Sequence, residues 1–341
     1  MIELIRDLSM LDGVPGFETE VRNYIRARAV QVCDQVSGDS QGNLFAFKKG
    51  ARSPARPIML AAHMDEVGFL IKNILEDGML RIVASGSVDP RVLIGRKMKV
   101  GKSKLPGVIS LKAIHLTKPD ERKKAPDLKS LYIDIGASGR EDALKYVSIG
   151  DMAVFDSEFA LFGNDCIKGK ALDDRIGCAV LLKLMEQELG YDTWFVFTAA
   201  EEIGARGAIN AVQHIDPGFI AAVDSTGAGD TADTPEHLRS CEMRRGAVIS
   251  LIDRGTVFHR GLREKITKAL DRECVSWQYR TRSEGATDAM AHVYGTGAKV
   301  FGLSTPVRYI HCACSVAYLP DITAVLKAAK IFIEEAGDGN A

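Results

Sequence analysis

The sequence has few of the features that mark a disulfide-stabilised protein. Its seven cysteines are odd in number and scattered along 341 residues, and no CxxC pair occurs. The closest spacing is that of Cys312 and Cys314. Disulfide frameworks are found mainly in small proteins of oxidising compartments. The cysteine usage therefore favours reduced thiols and predicts a cytoplasmic protein.

Long apolar runs and an excess of one charge are also absent. No run approaches the roughly 18 apolar residues that a membrane helix needs. The opening segment MIELIRDLSML is typical of an amphipathic helix rather than a signal peptide. The net charge is −1, with 46% hydrophobic and 26% charged residues. This balance gives no reason to expect binding to nucleic acid or to an anionic membrane.

The apolar pattern changes twice along the chain, and these changes indicate its architecture. Residues 18–30 show helical spacing, with Val21, Ile25 and Ala29 on one face. Runs such as RPIMLAA and TWFVFTAA are typical of buried strands. Between about 67 and 163, short strand-like segments alternate with turn signals. Helical segments and apolar strands alternate again after this region.

We therefore expect an α/β fold with a central, mostly parallel sheet flanked by helices, and an inserted β-barrel-like domain. The predicted α/β domain is discontinuous and comprises residues 1–66 and 164–341. The predicted insertion comprises residues 67–163 and is rich in β-structure.

Residues of the types that bind divalent metals lie near the ends of the predicted strands. They are His63, Asp65, Asp173, Glu201, Glu202, Asp224 and His311. Glu201 and Glu202 follow the apolar run WFVFTAA, and buried carboxylates need a cation or strong donors to remain ionised. Ligands of open α/β sheets bind outside the carboxyl ends of the strands. The sequence thus predicts two divalent cations with one carboxylate left as a base, which suits metal-assisted hydrolysis.

Each of these residues also has an ordinary structural explanation. An aspartate before a helix is commonly a cap, adjacent glutamates commonly lie on a solvated face, and a single histidine is commonly not a ligand. Other catalytic chemistries have less support, because the chain contains no GxxxxGK[ST] phosphate loop and no GxSxG nucleophile elbow. The neighbours His311 and Cys312 leave a Cys–His nucleophile as an alternative, although free cysteines are more often small buried hydrophobes.

Several longer segments combine these residues into a recognisable pattern. The most specific are KGKALDDRIGCAVLL at 168–182 and FVFTAAEEIGARGA at 195–208. Others are GVPGFETEVR at 13–22, AAHMDEVGFLIK at 61–72, ATDA at 286–289 and PVRYIH at 306–311. In these segments the sequence strongly resembles the M42 family of metallo-aminopeptidases, which includes the tetrahedral TET peptidases and the glutamyl aminopeptidases. The resemblance covers almost the whole chain.

The resemblance implies a dinuclear metal site. One cation would be bound by His63, Asp173 and Asp224. The other would be bound by Asp173, Glu202 and His311, so that Asp173 would bridge the two. Because two cations carry more positive charge than three carboxylates offset, a metal-bridging hydroxide is the expected nucleophile. Imidazole and carboxylate ligands suit zinc, cobalt or manganese.

The resemblance also implies roles for residues that would not bind metal. Asp65 would orient His63, and Glu201 would be the general base. Thr287, Asp288 and Arg308 are expected in the substrate pocket. The implied activity is hydrolysis of N-terminal residues from short peptides with a free N-terminus. The inserted domain would mediate dimerisation, and dimers would assemble into a dodecamer.

The chain departs from the family pattern near the expected pocket. Cys312 follows His311 where the family commonly has serine, and Ser315 stands where a glutamate is common. Glu284 lies in SEGATDA where GGTDA is commoner. These departures leave a dinuclear-metal deacylase of N-acyl amino acids or peptides as the alternative function. A non-catalytic binding protein is a third hypothesis, which the complete set of ligands argues against.

Overall fold

Eleven strands form one mixed sheet in the computed structural model, which describes residues 1–291 and 296–339. They are β1 (Gln35–Gly38), β2 (Leu44–Lys48), β3 (Ile58–His63), β10 (Ala160–Phe162), β11 (Cys166–Gly169), β12 (Thr193–Thr198), β13 (Phe219–Gly227), β14 (Ala247–Ser250), β15 (Trp277–Arg280), β16 (Lys299–Arg308) and β17 (Ser315–Tyr318). The order is β1-β2-β12-β3-β13-β16-β17-β11-β10, and β14 pairs with β15 and β16.

Parallel pairing is concentrated at the centre of this sheet. Strand β3 is parallel to β12 and β13, and β13 is parallel to β16. The pairs at the two ends of the main strand order, β1 with β2 and β10 with β11, are antiparallel, and β14 is parallel to β15. The carboxyl ends of the four central strands therefore meet at one edge, where α/β sheets bind ligands.

Helices flank the sheet on both faces. The flanking helices are α1 (Ile2–Met10), α2 (Thr19–Val32), α5 (Leu172–Met185), α6 (Arg206–Ile215), α7 (Arg260–Arg272) and α8 (Leu319–Gly337). Two short helices, α3 (Pro119–Arg122) and α4 (Arg140–Ala143), lie instead within the predicted insertion. Short 3₁₀ turns occur at Pro90–Val92, Ile114–Leu116, Leu128–Ser130 and Glu236–Leu238. The predicted helical face of Val21, Ile25 and Ala29 is confirmed, because all three are buried on α2. None of the described helices is long and apolar enough to cross a membrane.

Side-chain alternation along β3 explains why helices lie on both faces. Leu60 and Ala62 belong to the larger core, to which α1, α2, α5, α7 and α8 contribute. Met59 and Ala61 point to the opposite face and pack in a second core with residues of α6. A strand buried on both sides reads as a continuous apolar run, as RPIMLAA does.

The remaining strands close into a separate six-stranded antiparallel barrel. They are β4 (Gly68–Ile74), β5 (Leu80–Ser85), β6 (Lys97–Val100), β7 (Leu105–Ser110), β8 (Tyr132–Asp134) and β9 (Met152–Phe155), in the order β4-β5-β8-β7-β6-β9. The barrel has its own core, in which Phe69 and Phe155 pack edge to face. The predicted fold, an α/β sheet domain with an inserted barrel, is confirmed. The domain boundaries remain predictions, and β10, just before residue 163, pairs with β11 of the sheet.

A buried ion network connects the barrel to the sheet domain. The carboxylate of Asp12 lies 3.4 Å from Lys99 Nζ on β6, 2.9 Å from Lys104 Nζ and 3.1 Å from Lys170 Nζ. Lys170 Nζ also donates to Glu66 Oε1 at 2.6 Å. Burial, the largest single effect, raises the pKa of Asp12, but the three lysines outweigh it and hold that pKa below its usual value.

Candidate active site

The predicted metal-binding residues lie together at the carboxyl edge of the central strands. His63 is the last residue of β3 and pairs with Thr198, the last residue of β12. Glu201 and Glu202 follow in the turn after β12, Asp173 is the second residue of α5, and His311 lies in the turn between β16 and β17.

Asp224 differs from its predicted position, because it lies inside a strand rather than after one. Strand β13 continues to Gly227, and Asp224 pairs with Ser304 of β16. The polar residues that follow Asp224 suggested the end of a strand. Their backbones nevertheless continue the ladder with β16, and Ser225 Oγ donates to the carbonyl of Leu172 at 3.1 Å.

Asp173 lies between the two imidazoles. Its Oδ1 is 3.2 Å from Nε2 of His63, and its Oδ2 is 3.1 Å from Nε2 of His311. Each imidazole has a second carboxylate nearby. Asp224 Oδ1 lies 3.8 Å from His63 Nε2, and Glu202 Oε1 lies 3.3 Å from His311 Nε2. A carboxylate with one oxygen directed to each of two histidines has the form of a bridging ligand.

Asp174 is a member of this cluster that the sequence did not single out as a ligand. Candidate ligand atoms of His63, Asp174 and Asp224 lie within 4.8 Å of one another, as do those of His63, Asp173 and Glu202. The Asp173–Asp174 peptide bond is cis. Asp174 Oδ1 accepts a hydrogen bond from Gly177 N at 3.0 Å, so a helix-capping contact is made by this residue. The adjacent aspartates Asp173 and Asp174 were the sequence feature that could have indicated a second ligand here, but an aspartate at the start of a helix is equally typical of a cap.

Asp65 connects the first imidazole to the two glutamates. Its two oxygens accept hydrogen bonds from the backbone N–H groups of Glu201 at 2.9 Å and Glu202 at 3.0 Å. Its Oδ1 also lies 3.5 Å from His63 Nδ1. Among the described residues, the Glu201 carboxylate forms no hydrogen bond or ion pair, and Glu201 lines the cavity in front of the cluster.

Burial and close charges shift the titration of this cluster in both directions. Burial is the largest effect on Glu202 and Asp224 and raises the pKa of both carboxyls. It also raises the pKa of Glu201 well above its usual value. Burial lowers the pKa of His311, but hydrogen bonds to Asp173 and Glu202 outweigh it and raise this pKa to about 11. Burial, the largest single effect on Asp173, would raise its pKa. The hydrogen bonds of Asp173 with His311 and His63 outweigh burial and hold this pKa well below its usual range.

These side chains fit divalent cations. Several carboxylates are crowded in a buried space, and the buried atom Asp174 Oδ2 has no hydrogen-bond partner among the described residues. Unpartnered buried carboxylate oxygens are costly. A divalent cation would supply the missing partner and would favour the ionised carboxylates. Imidazole nitrogens and carboxylate oxygens are also the ligands found at hydrolytic metal sites.

The cluster lines a cavity of about 840 Å³. Thr287 lines this cavity as well. Asp288 is 4% exposed and accepts a hydrogen bond from the Thr198 hydroxyl. Arg308 is not among the lining residues, and its guanidinium binds both oxygens of Asp230 at 2.9 and 2.7 Å. The cavity wall also contains Arg254, Arg280 and Arg282, which the sequence did not single out because isolated arginines carry no pattern.

Two residues that depart from the family pattern, Cys312 and Ser315, lie close to His311 in the sequence. Ser315 Oγ donates to the carbonyl of Tyr309 at 3.0 Å and thereby closes the turn that carries His311. Burial raises the pKa of the Cys312 thiol, whereas a nucleophilic cysteine needs a lowered pKa. The raised pKa of Cys312 therefore gives no support to the Cys–His alternative.

Comparison with known proteins identifies the family. The family model for M42 glutamyl aminopeptidases matches residues 42–327. A protein of Acetivibrio thermocellus is 35% identical over 330 residues, with 96% of each chain covered. A lysyl aminopeptidase of Pyrococcus furiosus is 30% identical over 349 residues, with 98% of this chain and 96% of that protein covered.

Solved structures agree with this relationship. An aminopeptidase from Desulfurococcus kamchatkensis superposes with a TM-score of 0.93 at 32% identity, covering 100% of this chain and 97% of that one. The TET1 peptidase of Pyrococcus horikoshii, which can assemble into a tetrahedron or a large octahedral shell, has a TM-score of 0.86 at 29% identity over 97% of this chain and 98% of that one.

Fold, site and comparisons define a peptidase with a candidate metal-ligand cluster. The chain belongs to the M42 peptidase family. Its relatives carry the names of aminopeptidases, so it is a hydrolase of peptide bonds in the aminopeptidase class. The deacylase alternative finds no such relative among them.

Proposed function

We propose that this protein is a dinuclear-metal aminopeptidase that removes N-terminal residues from short peptides. The observation that carries the proposal is the position of Asp173, with one carboxylate oxygen directed to His63 and the other to His311. A single ion held by two histidines and a carboxylate would bring both imidazoles to the same side of that carboxylate. Two imidazoles on opposite oxygens fit two cations.

The ligands divide into two sets that share Asp173. His63 and Asp224 would complete the first set, and Glu202 and His311 would complete the second. Two divalent cations held by these residues would supply Lewis acidity and would lower the pKa of a bound water from about 15.7 to about 7. Zinc, cobalt and manganese all suit these ligands.

The protein side chains contribute the proton transfers. Glu201 is positioned as the general base, because its carboxylate lines the cavity and is not engaged by another described side chain. It would take a proton from the attacking water and return it to the leaving amine. Asp65 holds the backbone of Glu201 and lies beside His63, so it positions the base relative to the first cation site.

The proposal includes self-association through the barrel in a cytoplasmic protein. Ile114 and Leu116, in the barrel region, are 70% and 60% exposed, and Ile149 is 60% exposed. Ile114 and Leu116 lie in one 3₁₀ turn, and neighbouring exposed apolar side chains that form a patch are typical of protein interfaces. A related structure, PhTET1-12s, is a dodecamer, and the TET1 peptidase of Pyrococcus horikoshii can assemble into a tetrahedron or a large octahedral shell. These assemblies are the support for our proposal of dimers that join into a dodecamer. None of the seven cysteines, all of which are among the described residues, forms a disulfide, which is in keeping with a cytoplasmic location.

Release of the N-terminal residue from a peptide library tests the function. The protein is supplied separately with zinc, cobalt or manganese, and parallel samples contain N-acetylated peptides or the Glu201→Gln variant. Release from free amines only, with kcat lowered about 10²- to 10⁴-fold in the variant, is the expected result.

Two outcomes contradict the proposal. Release from acetylated peptides only would reassign the protein to deacylation. Turnover that is unchanged in Glu201→Gln would remove this residue from the role of base.

A further inference from the structure

One wall of the active-site cavity is formed by three arginines. Arg254, Arg280 and Arg282 line the same cavity as His63 and the other residues of the cluster. The carboxylate on this wall is that of Glu284. Outside the metal cluster, the described lining therefore has an excess of positive charge.

The guanidinium groups of this wall have only some of the hydrogen-bond and ion-pair partners that they can accommodate. Among the described residues, the Arg254 side chain forms no hydrogen bond or ion pair. Arg280 donates to the backbone carbonyl of Glu284, and its buried Nε has no partner among them. Arg282 binds both oxygens of the Glu284 side chain through its Nε, at 3.1 and 3.0 Å.

Backbone contacts hold two loops together to form this wall. Arg254 N donates to the carbonyl of Gly285 at 2.9 Å, which joins the loop after β14 to the loop after β15. Arg280 is the last residue of β15, so its backbone is fixed by the sheet. The arginines are therefore presented by connected segments rather than by independent surface side chains.

Arginine in a cavity has a specific chemical preference. Its planar fork matches carboxylates with two parallel hydrogen bonds, and such charge-assisted bonds are stronger than neutral ones. Glu284 shows that a carboxylate fits this wall, because it already makes the paired contact with Arg282. Its side chain is 65% exposed, so water can reach the pair and a competing carboxylate can displace it.

We propose that Arg254, Arg280 and Arg282 form a subsite for a carboxylate of the peptide substrate, with Glu284 as the internal carboxylate that the substrate displaces. The inference rests on the proposed aminopeptidase function and names the substrate class within it. The carboxylate has two sources in a short peptide. One is the side chain of an acidic N-terminal residue, and the other is the C-terminal carboxylate of a di- or tripeptide.

Matched peptide pairs separate these sources. The first pair differs only in an N-terminal Glu or Gln, and the second pair differs only in a free or amidated C-terminus. For each pair the ratio of kcat/KM for the acid to kcat/KM for the amide is measured with the metal-loaded protein. We expect a ratio of about ten or more in one of the two pairs, which is the effect of a hydrogen bond to a charged group. The pair that shows this ratio identifies which carboxylate of the peptide the arginines bind.

Substitutions test whether the arginines cause the preference. Arg254→Gln is the first choice, because its side chain has no described contact whose loss could disturb the loop. It is expected to bring the ratio close to one, and Arg282→Gln is expected to lower it. Glu284→Gln is expected to increase the ratio about threefold or more, because it removes the internal competitor. Arg260→Gln, at a side chain 82% exposed on α7, is the control and should leave the ratio unchanged.

Binding provides a readout that does not depend on turnover. Calorimetric Kd values for the same pairs are measured with the Glu201→Gln variant, and the acid is expected to bind about tenfold more tightly. Ratios near one in both pairs, or ratios that Arg254→Gln and Arg282→Gln leave unchanged, would overturn the subsite. If either result is obtained while peptides with a free amine are still cleaved, the subsite is refuted and the aminopeptidase function stands. Acid-selective binding without turnover would instead preserve the subsite and refute the function.

Discussion

The carboxylate of Asp65 accepts a hydrogen bond from the backbone N–H of Glu201 at 2.9 Å. Its second oxygen accepts one from the N–H of Glu202 at 3.0 Å, and the side chain is fully buried. One residue thus fixes the turn that carries both the proposed base and a proposed metal ligand. Because Asp65 also lies beside His63, a change at this position should affect metal binding and proton transfer together.

The first prediction concerns Asp65→Asn. The amide group retains one acceptor oxygen but directs an NH₂ group toward a backbone donor, so one of the two hydrogen bonds is lost. We expect activity or metal affinity to fall about 10- to 100-fold, measured as kcat/KM and as metal Kd. Asp192→Asn is the matched control, since Asp192 accepts from Gly50 N outside the site. Wild-type values in Asp65→Asn would contradict its positioning role.

The second prediction concerns the number of bound ions. Because Asp173 lies against both histidines, Asp173→Asn should weaken both sites. Of the two histidines, Asp224 contacts His63 and not His311, so Asp224→Asn should retain one ion per chain. Elemental analysis after dialysis should give about two ions for the wild type, one for Asp224→Asn and fewer than one for Asp173→Asn. Equal losses in the two variants would argue against a bridging role for Asp173.

The third prediction uses two glycines with similar backbone angles. Gly86 has φ +88°, and a Cβ there would lie 2.8 Å from Val67 Cγ1 and 3.3 Å from Glu202 Oε2. Gly95 has φ +77° with no atom within 4 Å of such a Cβ. Alanine at either position should cost about 1 to 2 kcal/mol of unfolding free energy through backbone strain. Only Gly86→Ala should also lower metal affinity, and equal metal affinities in the two variants would refute the contact with Glu202.

The local pattern of the sequence was sufficient for most of the fold. The spacing of Val21, Ile25 and Ala29 predicted α2, and the short strands between turn signals predicted the barrel. These elements depend on neighbours a few residues apart, which periodicity detects. The ends of β3 and β12 likewise brought His63 and Glu202 to one edge, because parallel strands align their carboxyl ends.

Contacts between distant segments could not be predicted in this way. Arg254 and Arg282 come from separate loops, and nothing in either segment shows that they line one cavity. The contact of Asp12 with Lys170 joins residues far apart in the chain. Asp174 was ambiguous for a different reason, since an aspartate at a helix start is explained equally well by capping. Such features depend on tertiary packing rather than on local propensity.

The fourth prediction addresses the thiol beside His311. Because burial raises the pKa of Cys312, little thiolate should be present near neutral pH. We expect Cys312→Ser to retain kcat/KM within about twofold of the wild type, which is within the scatter of neutral substitutions near a site. The comparison is Glu201→Gln, measured on the same peptide. A loss in Cys312→Ser as large as that in Glu201→Gln would restore the Cys–His alternative.

The fifth prediction concerns the connection between barrel and sheet domain. Asp12→Asn leaves the buried Lys170 with one carboxylate fewer, and we expect a loss of about 2 to 3 kcal/mol in unfolding free energy. This lies below the full cost of breaking a buried pair, because Lys104 is 38% exposed. Asp216→Asn, at a side chain 84% exposed in an ion pair with Arg56, should cost less than about 0.5 kcal/mol.

The pH dependence of the same variant gives the sign of the effect. The three lysines hold the folded-state pKa of Asp12 below its ordinary value of 3.8, so its contribution is present above that value and is lost as the pH falls through the folded pKa. In urea unfolding, the free energy of unfolding of the wild type should exceed that of Asp12→Asn by a constant amount from pH 7 to about pH 5. This excess should narrow below about pH 4. A difference that widens on acidification would mean that Asp12 has a raised pKa and that the lysines do not stabilise its charge.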